Sequence, residues 1–182
     1  LQADISNYEP NMAIVIRTKN DKKGISRLLT HIVAQRLTYK GRLDVIVVDT
    51  ESEDGPQDVA RAFGAAVVPI TQDEFSYPKS INVGLQESKP DVETAFITVG
   101  HAQPALSNCL KSGVRHFEDK RVAGTFGTII PHENASIGEK LLFSDIMRIR
   151  KGVKSLRGKR PSLGDMGATN CMIRLATWKK YP

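Results

Sequence analysis

Four short runs leave this chain little freedom of fold. Residues 12–18 (MAIVIRT), 43–49 (LDVIVVD), 65–70 (AAVVPI) and 94–99 (TAFITV) are apolar, rich in β-branched residues and free of polar alternation. A strand with one wetted face alternates; a strand that is apolar throughout must be covered on both faces. Segments of helical character separate the runs. In 21–35, Ile25, Leu28, Leu29, Ile32 and Val33 share one face, and Asp21 is placed to cap the first turn. Residues 55–64 predict a short helix, with Pro56 in its first turn and Gly64 closing it. Residues 77–88 predict another, and 105–117 a fourth through Leu106, Leu110 and Val114. Four strand–helix alternations predict an α/β fold: a mostly parallel central sheet with helices on both faces.

After residue 118 the rhythm changes. Residues 121–131 predict a longer strand, 136–149 a helix, and 167–182 a strand running into a short helix. These extend the sheet and do not form a second domain, so residues 1–182 are expected to be one domain, with 1–11 as a loose arm. At 182 residues and 40% hydrophobic content the chain can close a real core. No apolar run approaches the ~18 residues of a membrane span. The first ten residues lack the charged and apolar regions of a signal peptide. Cys109 and Cys171 stand far apart in no metal-ligand spacing, which fits two free thiols in a reducing cytosol.

The net charge is +6, and residues 148–160 (RIRKGVKSLRGKR) hold seven Lys or Arg and no acid. Such a run is either a solvated loop or a face for phosphate, an acidic membrane surface or nucleic acid. It has no aromatic for a base to stack on, which argues against single-stranded nucleic acid.

In open α/β sheets ligands bind beyond the carboxyl ends of the strands. Those ends collect Arg17-Thr18-Lys19-Asn20, then Asp49 with Ser52 and Asp54, then Val99-Gly100-His101; Phe75–Asn82 lies between the third and fourth strands. A dinucleotide fold needs a glycine-rich turn after its first strand, and the turn here (RTKNDKKG) has one glycine. The phosphate-cradling GxxxxGK[ST] motif is absent as well. A carboxylate such as Asp49 can instead accept from a nucleobase N–H, with Thr18 as a hydroxyl and Arg17 and Lys79 as charges for a diphosphate. Ser52 and Asp54 fit equally well as caps of the 55–64 helix, and Glu51 and Glu53 as solvated acids.

Together these segments resemble a known family. Ile16-Arg17-Thr18-Lys19-Asn20 resembles the I-R-T-Y-N opening of inverting family 2 glycosyltransferases of the GT-A fold. Residues 49–55 resemble their D-S-G-S-T-D-G turn. Residues 75–84 resemble the F-S-Y-G-R-A-L-N-x-G segment of a rhamnosyltransferase-like subgroup, and 98–104 resemble its L-S-A-H-A-x-P. Arg121-Val122-Ala123-Gly124 resembles R-V-A-G, and Asn170–Arg174 resembles N-x-A-I-R. The match runs from about residue 13 to the end.

The resemblance implies transfer of a sugar from a nucleotide-sugar donor to an acceptor hydroxyl with inversion, in polysaccharide or glycoconjugate synthesis. Residues 12–117 would be the nucleotide-binding half and 118–182 the start of the acceptor side. Arg17, Thr18, Asn20, Asp49, Ser52, Lys79, Gly100 and His101 would bind the donor, with Asn82 bracing its loop. The D-x-D that holds a divalent ion in other members falls on Val99 and His101, so Mn or Mg dependence rests on His101. The general base lies, in the family, beyond the point where this chain stops; Asp165 is the one upstream candidate. The resemblance thus implies a piece of a longer, cytoplasmic or membrane-peripheral enzyme, with residues 148–160 as the membrane contact, an acceptor left open and no nucleic-acid partner. The alternatives are a non-catalytic nucleotide-sugar-binding module on the same fold and, on charge alone, a nucleic-acid-binding domain.

Overall fold

Strand β1 (Met12–Thr18) is buried along its whole length, with neighbours on both sides and both faces. The computed structural model of the chain describes residues 7–141 and 169–182. β1 leads into helix α1 (Lys22–Arg36), then β2 (Leu43–Thr50), α2 (Pro56–Ala62), β3 (Ala66–Ile70), α3 (Tyr77–Gln86), β4 (Thr94–Val99) and α4 (Cys109–Val114). Two short strands, β5 (Gly124–Phe126) and β6 (Cys171–Arg174), and a C-terminal helix (Leu175–Trp178) complete it. The sheet order is β3-β2-β1-β4-β6-β5. β1 to β4 are parallel; β6 runs antiparallel to both β4 and β5.

Alternate residues of the central strands feed two cores. Met12, Ile14 and Ile16 pack with Val45 and Val47 against Ile25, Leu28, Leu29 and Ile32 of α1, with Ala60 of α2 and Leu110 and Val114 of α4. Ala13, Val15, Ile46 and Val48 pack on the opposite face with Leu85 of α3 and Leu175 of the C-terminal helix. Each large aliphatic side chain buried in this way contributes about 1.5–3 kcal/mol. The expected α/β architecture with helices on both faces is what the structure has.

Register fixes the mouth of the sheet. Thr18 lies opposite Asp49, and Arg17 opposite both Val48 and Val99. The carboxyl ends of β1, β2 and β4 therefore finish at one level, and the loops beyond them meet.

Several local expectations need correction. The strand expected over 121–131 shrinks to three residues, because its partner β6 is only four residues long and offers no further edge. The helix expected over 105–117 starts at Cys109, and Leu106 is exposed; the buried spacing is Leu110, Val114 and Phe117, with residues 115–118 in a tighter 3₁₀ turn. On α1, Val33 is partly exposed, while Gln35 is buried and accepts from Leu110 N at 3.0 Å at the start of α4. Residues 8–11 are not a loose arm: the Tyr8 hydroxyl donates to Glu93, Glu9 accepts from Lys40 N, and Pro10 O accepts from the Tyr39 hydroxyl. Residues 137–141 begin a helix, and the rest of the one expected over 136–149 lies outside the described residues.

Helix α3 carries one wall of the mouth and lies very close to the sheet. A Cβ at Gly84 would stand 2.5 Å from Val15 Cγ1 and 3.0 Å from Val48 Cγ2. Gly84→Ala should therefore destabilise the fold by about 1–3 kcal/mol, despite alanine's better helix propensity. Urea denaturation checks the sign.

Candidate functional site

The loops after β1 and β2 are stitched together by a chain of hydrogen bonds. Asn20, at φ 48°, donates its N–H to Ser52 Oγ at 2.8 Å and accepts from Glu53 N at 2.8 Å. Asn and Gly are the residues that tolerate this left-handed backbone. Ser52 Oγ donates onward to Asp49 Oδ1 at 2.6 Å. Asp49 Oδ2 accepts from Ser52 N and from Gln57 Nε2 at 2.7 Å. Asp49 is 2% exposed, so its carboxylate is spent inside its own turn.

The other acids of that turn also have structural work. Asp54 does not cap α2, whose N-cap is Gly55 with no side-chain bond. It accepts instead from Lys22 N at 2.8 Å, in the first turn of α1. Glu51 is not merely solvated, since it accepts from Gln72 N at 3.0 Å. Asp21 caps α1 as expected, with Oδ1 accepting from Gly24 N at 3.0 Å.

Beyond these loops opens a cleft of about 290 Å³. Arg17, Thr18, Lys19 and Asp21 line it from the β1 side, Thr50 from β2, Gln72 and Phe75 from the loop after β3, and Val99, Gly100 and His101 from β4. Its floor is polar and short of partners. Arg17 Nε, Thr18 Oγ1 and Asp21 Oδ2 are buried without a hydrogen bond. Arg17 is 8% exposed, and among the described residues no carboxylate pairs with it. Its guanidinium lies 4.8 Å from the centre of the Tyr77 ring, which itself stands edge-on to Phe75. Burial pushes the Arg17 pKa down, and the nearby Tyr77 and Cys171 oppose that shift. A buried cation without a counter-ion costs several kcal/mol, and an anionic ligand recovers it.

Of the residues expected to bind the donor, the cleft brings together Arg17, Thr18, Gly100 and His101. Asn20, Asp49 and Ser52 lie behind it in the stitched loops. Lys79 stands apart at the start of α3, half exposed and ion-paired with Glu74 at 3.3 Å. Asn82 braces as expected, accepting from Trp178 Nε1 at 2.8 Å. Asp165 and residues 148–160 lie outside the described residues. Sequence reading missed Thr50 and Gln72 as lining residues. Applying the strand-end rule to β3 and to the last residue of β2 would have found both. It also left Lys19 out of the site, although Lys19 donates to Gln72 Oε1 on the cleft wall.

Comparison with known proteins places the chain in a family. Residues 13–179 match glycosyl transferase family 2. The chain belongs to that family. It is 23% identical over 130 residues to the O-antigen chain rhamnosyltransferase WbaN of Salmonella anatum, a match covering 70% of this chain and 39% of WbaN. Its fold resembles TarS 1-349 of S. aureus, with TM-score 0.61 and 14% identity over 93% of this chain and 48% of that one. It also resembles a mannosyltransferase of Pyrobaculum calidifontis solved with GDP-Man and Mn2+, with TM-score 0.57 and 21% identity over 78% and 39% of the two chains. The sheet is thus that of the GT-A glycosyltransferases, and the chain spans two fifths to half the length of these relatives. No helix among the described residues is long and apolar enough to cross a membrane.

Asp49→Asn replaces a carboxylate that faces three donors with an amide that turns an NH2 towards at least one of them. The loss of charge-assisted bonds should lower unfolding free energy by about 1.5–3 kcal/mol. Chemical denaturation of this variant beside the unmodified chain measures it.

Proposed function

We propose that this chain is the donor-binding part of an inverting glycosyltransferase that uses a nucleoside-diphosphate sugar. The carrying observation is the uncompensated Arg17 guanidinium, buried at the mouth of β1 in a cleft that Thr18, with its unpartnered hydroxyl, also lines. A diphosphate supplies the charge and the acceptors that both lack. Lys19, which lines the cleft, adds a second positive charge, and Lys79 would join it only by releasing its exposed and weak pair with Glu74. Thr50, Gln72 and Lys19 line the other wall of the cleft and suit a nucleobase edge. In this reading Asp49 acts at one remove, holding the turn that presents Thr50. The family's relatives include one solved with GDP-Man and Mn2+, which supports a nucleotide-sugar donor.

In such a reaction an acceptor hydroxyl attacks the anomeric carbon opposite the leaving diphosphate. Arg17 orients that diphosphate and offsets the charge that develops on it. The acceptor's general base is assigned to no described residue. A divalent ion fits only if shared with the donor: among the described residues no three His, Cys, Asp or Glu side chains converge. Asp21 and His101, 4.0 Å apart, are the pair that could contribute. When bound, such an ion would help neutralise the departing diphosphate. The basic run at 148–160 remains our expected contact with an acidic membrane surface, and the two unpaired thiols fit a cytoplasmic enzyme.

Calorimetric titration with UDP, dTDP, GDP and ADP, each beside its nucleoside, tests the reading. At least one diphosphate should bind, and Arg17→Ala should weaken it by roughly 10–150-fold while changing nucleoside affinity much less. Equal losses for diphosphate and nucleoside would take Arg17 away from the phosphates. Absence of binding to the whole panel would overturn the proposal.

A further inference from the structure

Glu51 stands where the backbone suits a different residue. It is the first residue beyond β2, and its φ is 45°. Among the described residues other than glycine, Asn20 alone shares a positive φ. Asparagine and glycine enter this left-handed region readily, whereas glutamate does so at a cost. Its side chain shows what that cost secures. Thr50 is the last residue of β2 in register with β3, opposite Ile70. Beyond it the chain leaves β3 for the loop after β1, where Ser52 meets Asn20. Gln72 N, two residues past Ile70, takes a side-chain acceptor instead, Glu51 Oε2 at 3.0 Å. A second bond continues the chain, since Gln72 Oε1 accepts from Lys19 Nζ. Gln72 and Lys19 line the cleft, and Glu51 stands behind them.

Stability does not account for this chain of bonds. All three residues are exposed, and hydrogen bonds that water could replace contribute little. Position accounts for it. An exposed lysine spreads its charge over many rotamers, and the bond to Gln72 holds this one against the cleft wall. An ammonium can only donate, so the Gln72 amide turns its oxygen to Lys19. The Gln72 NH2, which has no partner among the described residues, is left for the cleft. No carboxylate among the described residues pairs with Lys19, so its remaining N–H groups are free as well. This wall therefore offers donors. A base edge that carries a carbonyl oxygen, as in uracil, thymine or guanine, meets it with acceptors. An edge that carries an amino group, as in cytosine or adenine, sets donor against donor.

We propose that Glu51 is a positioning residue for base selection. From its left-handed turn it holds Gln72, and through Gln72 it holds Lys19, as a wall of N–H donors that favours a carbonyl-bearing base over an amino-bearing one. Glutamate is kept at a position that glycine would fill with less strain because glycine has no carboxylate to reach Gln72 N. This inference rests on the nucleotide-sugar reading of the cleft, and the test separates the two.

The test titrates the 182-residue chain with two pairs of ligands, UDP beside CDP and GDP beside ADP. In at least one pair the carbonyl-bearing base should bind tighter by about tenfold or more. Glu51→Gly should unfold at a midpoint no lower than that of the unmodified chain, because it relieves the turn. It should nevertheless lose most of the preference within the pair. Glu51→Gln keeps an oxygen of the same reach for Gln72 N, so it should retain the preference. Lys19→Met should lose it, and the double variant Glu51→Gly with Lys19→Met should lose no more than the worse single variant, because the two act through one contact. An undiminished preference in Glu51→Gly would overturn the proposal. So would a loss in Glu51→Gln equal to that in Glu51→Gly, or additive losses in the double variant. If diphosphates bind but CDP and ADP match UDP and GDP on the unmodified chain, the donor wall fails and the reading of the cleft stands. If none of them binds, nor dTDP, that reading fails as well.

Discussion

The site hangs on one buried carboxylate, Asp49. Its two oxygens take three donors, and one of these, Ser52 Oγ, accepts from the backbone of Asn20 in the neighbouring loop. Another acid of the same turn, Asp54, takes the N–H of Lys22 and so helps fix where α1 begins. The start of α1 in turn places Asp21 at the cleft. An acidic turn in a basic protein is thus explained by local demand for acceptors. Loop and helix starts present N–H groups that the backbone cannot satisfy, and carboxylates are the strongest acceptors available.

Arg17 shows why this frame must be firm. Its neighbour Tyr77 offers a cation–π contact worth about 0.5–2 kcal/mol. Burying a charge without a counter-ion costs several kcal/mol. The ring therefore recovers only part of the cost, and the remainder is carried by the surrounding fold. The central strands can carry it because β1 is anchored on both edges and packed on both faces. A strand at the sheet's edge could shift to let the guanidinium reach water. Placing the cation at the end of the most constrained strand keeps it available for an anion.

Much of this was legible in the sequence. β1, β2 and β4 show as unbroken apolar runs because both faces are covered. The strand-end rule then picked out Arg17, Thr18, Gly100 and His101 from a handful of positions. Asp49 was legible as an acid at a strand mouth, but its orientation was not. Whether such a side chain points out or folds back depends on Ser52 and Gln57, and their reach is a property of the turn in three dimensions. The late segments were harder for a different reason. β5 pairs with β6 some 45 residues away in sequence, and a three-residue edge strand carries no periodicity to read. At α4 the spacing of Leu106 with Leu110 and Val114 is right for a helix, but the helix begins after it, and Gln35 of α1 meets its first turn.

The wall that carries Phe75 and Tyr77 shows how far apart in sequence the determinants of the cleft lie. α3 is pressed onto Val15 and Val48 through Gly84, and its Asn82 accepts from Trp178 of the C-terminal helix. That helix is placed by β6, whose antiparallel ladder on β4 is extended by the bond from Leu175 N to Glu93 O. The bond from Trp178 ties α3, which carries Tyr77, to the segment that returns to the sheet beside β4. The helix that carries the aromatic neighbour of Arg17 is thus braced by a contact that closes nearly the full length of the chain. Such non-local contacts form only after large loop-closure entropy has been overcome. The polar floor of the cleft, by contrast, is set by neighbouring loops within residues 17–57 and by the turn at 99–101. Floor and wall consequently draw on different parts of the sequence: the floor on side chains that hydrogen-bond across adjacent strand ends, the aromatic wall on α3 packed against β1 and β2 and braced by the C-terminal helix.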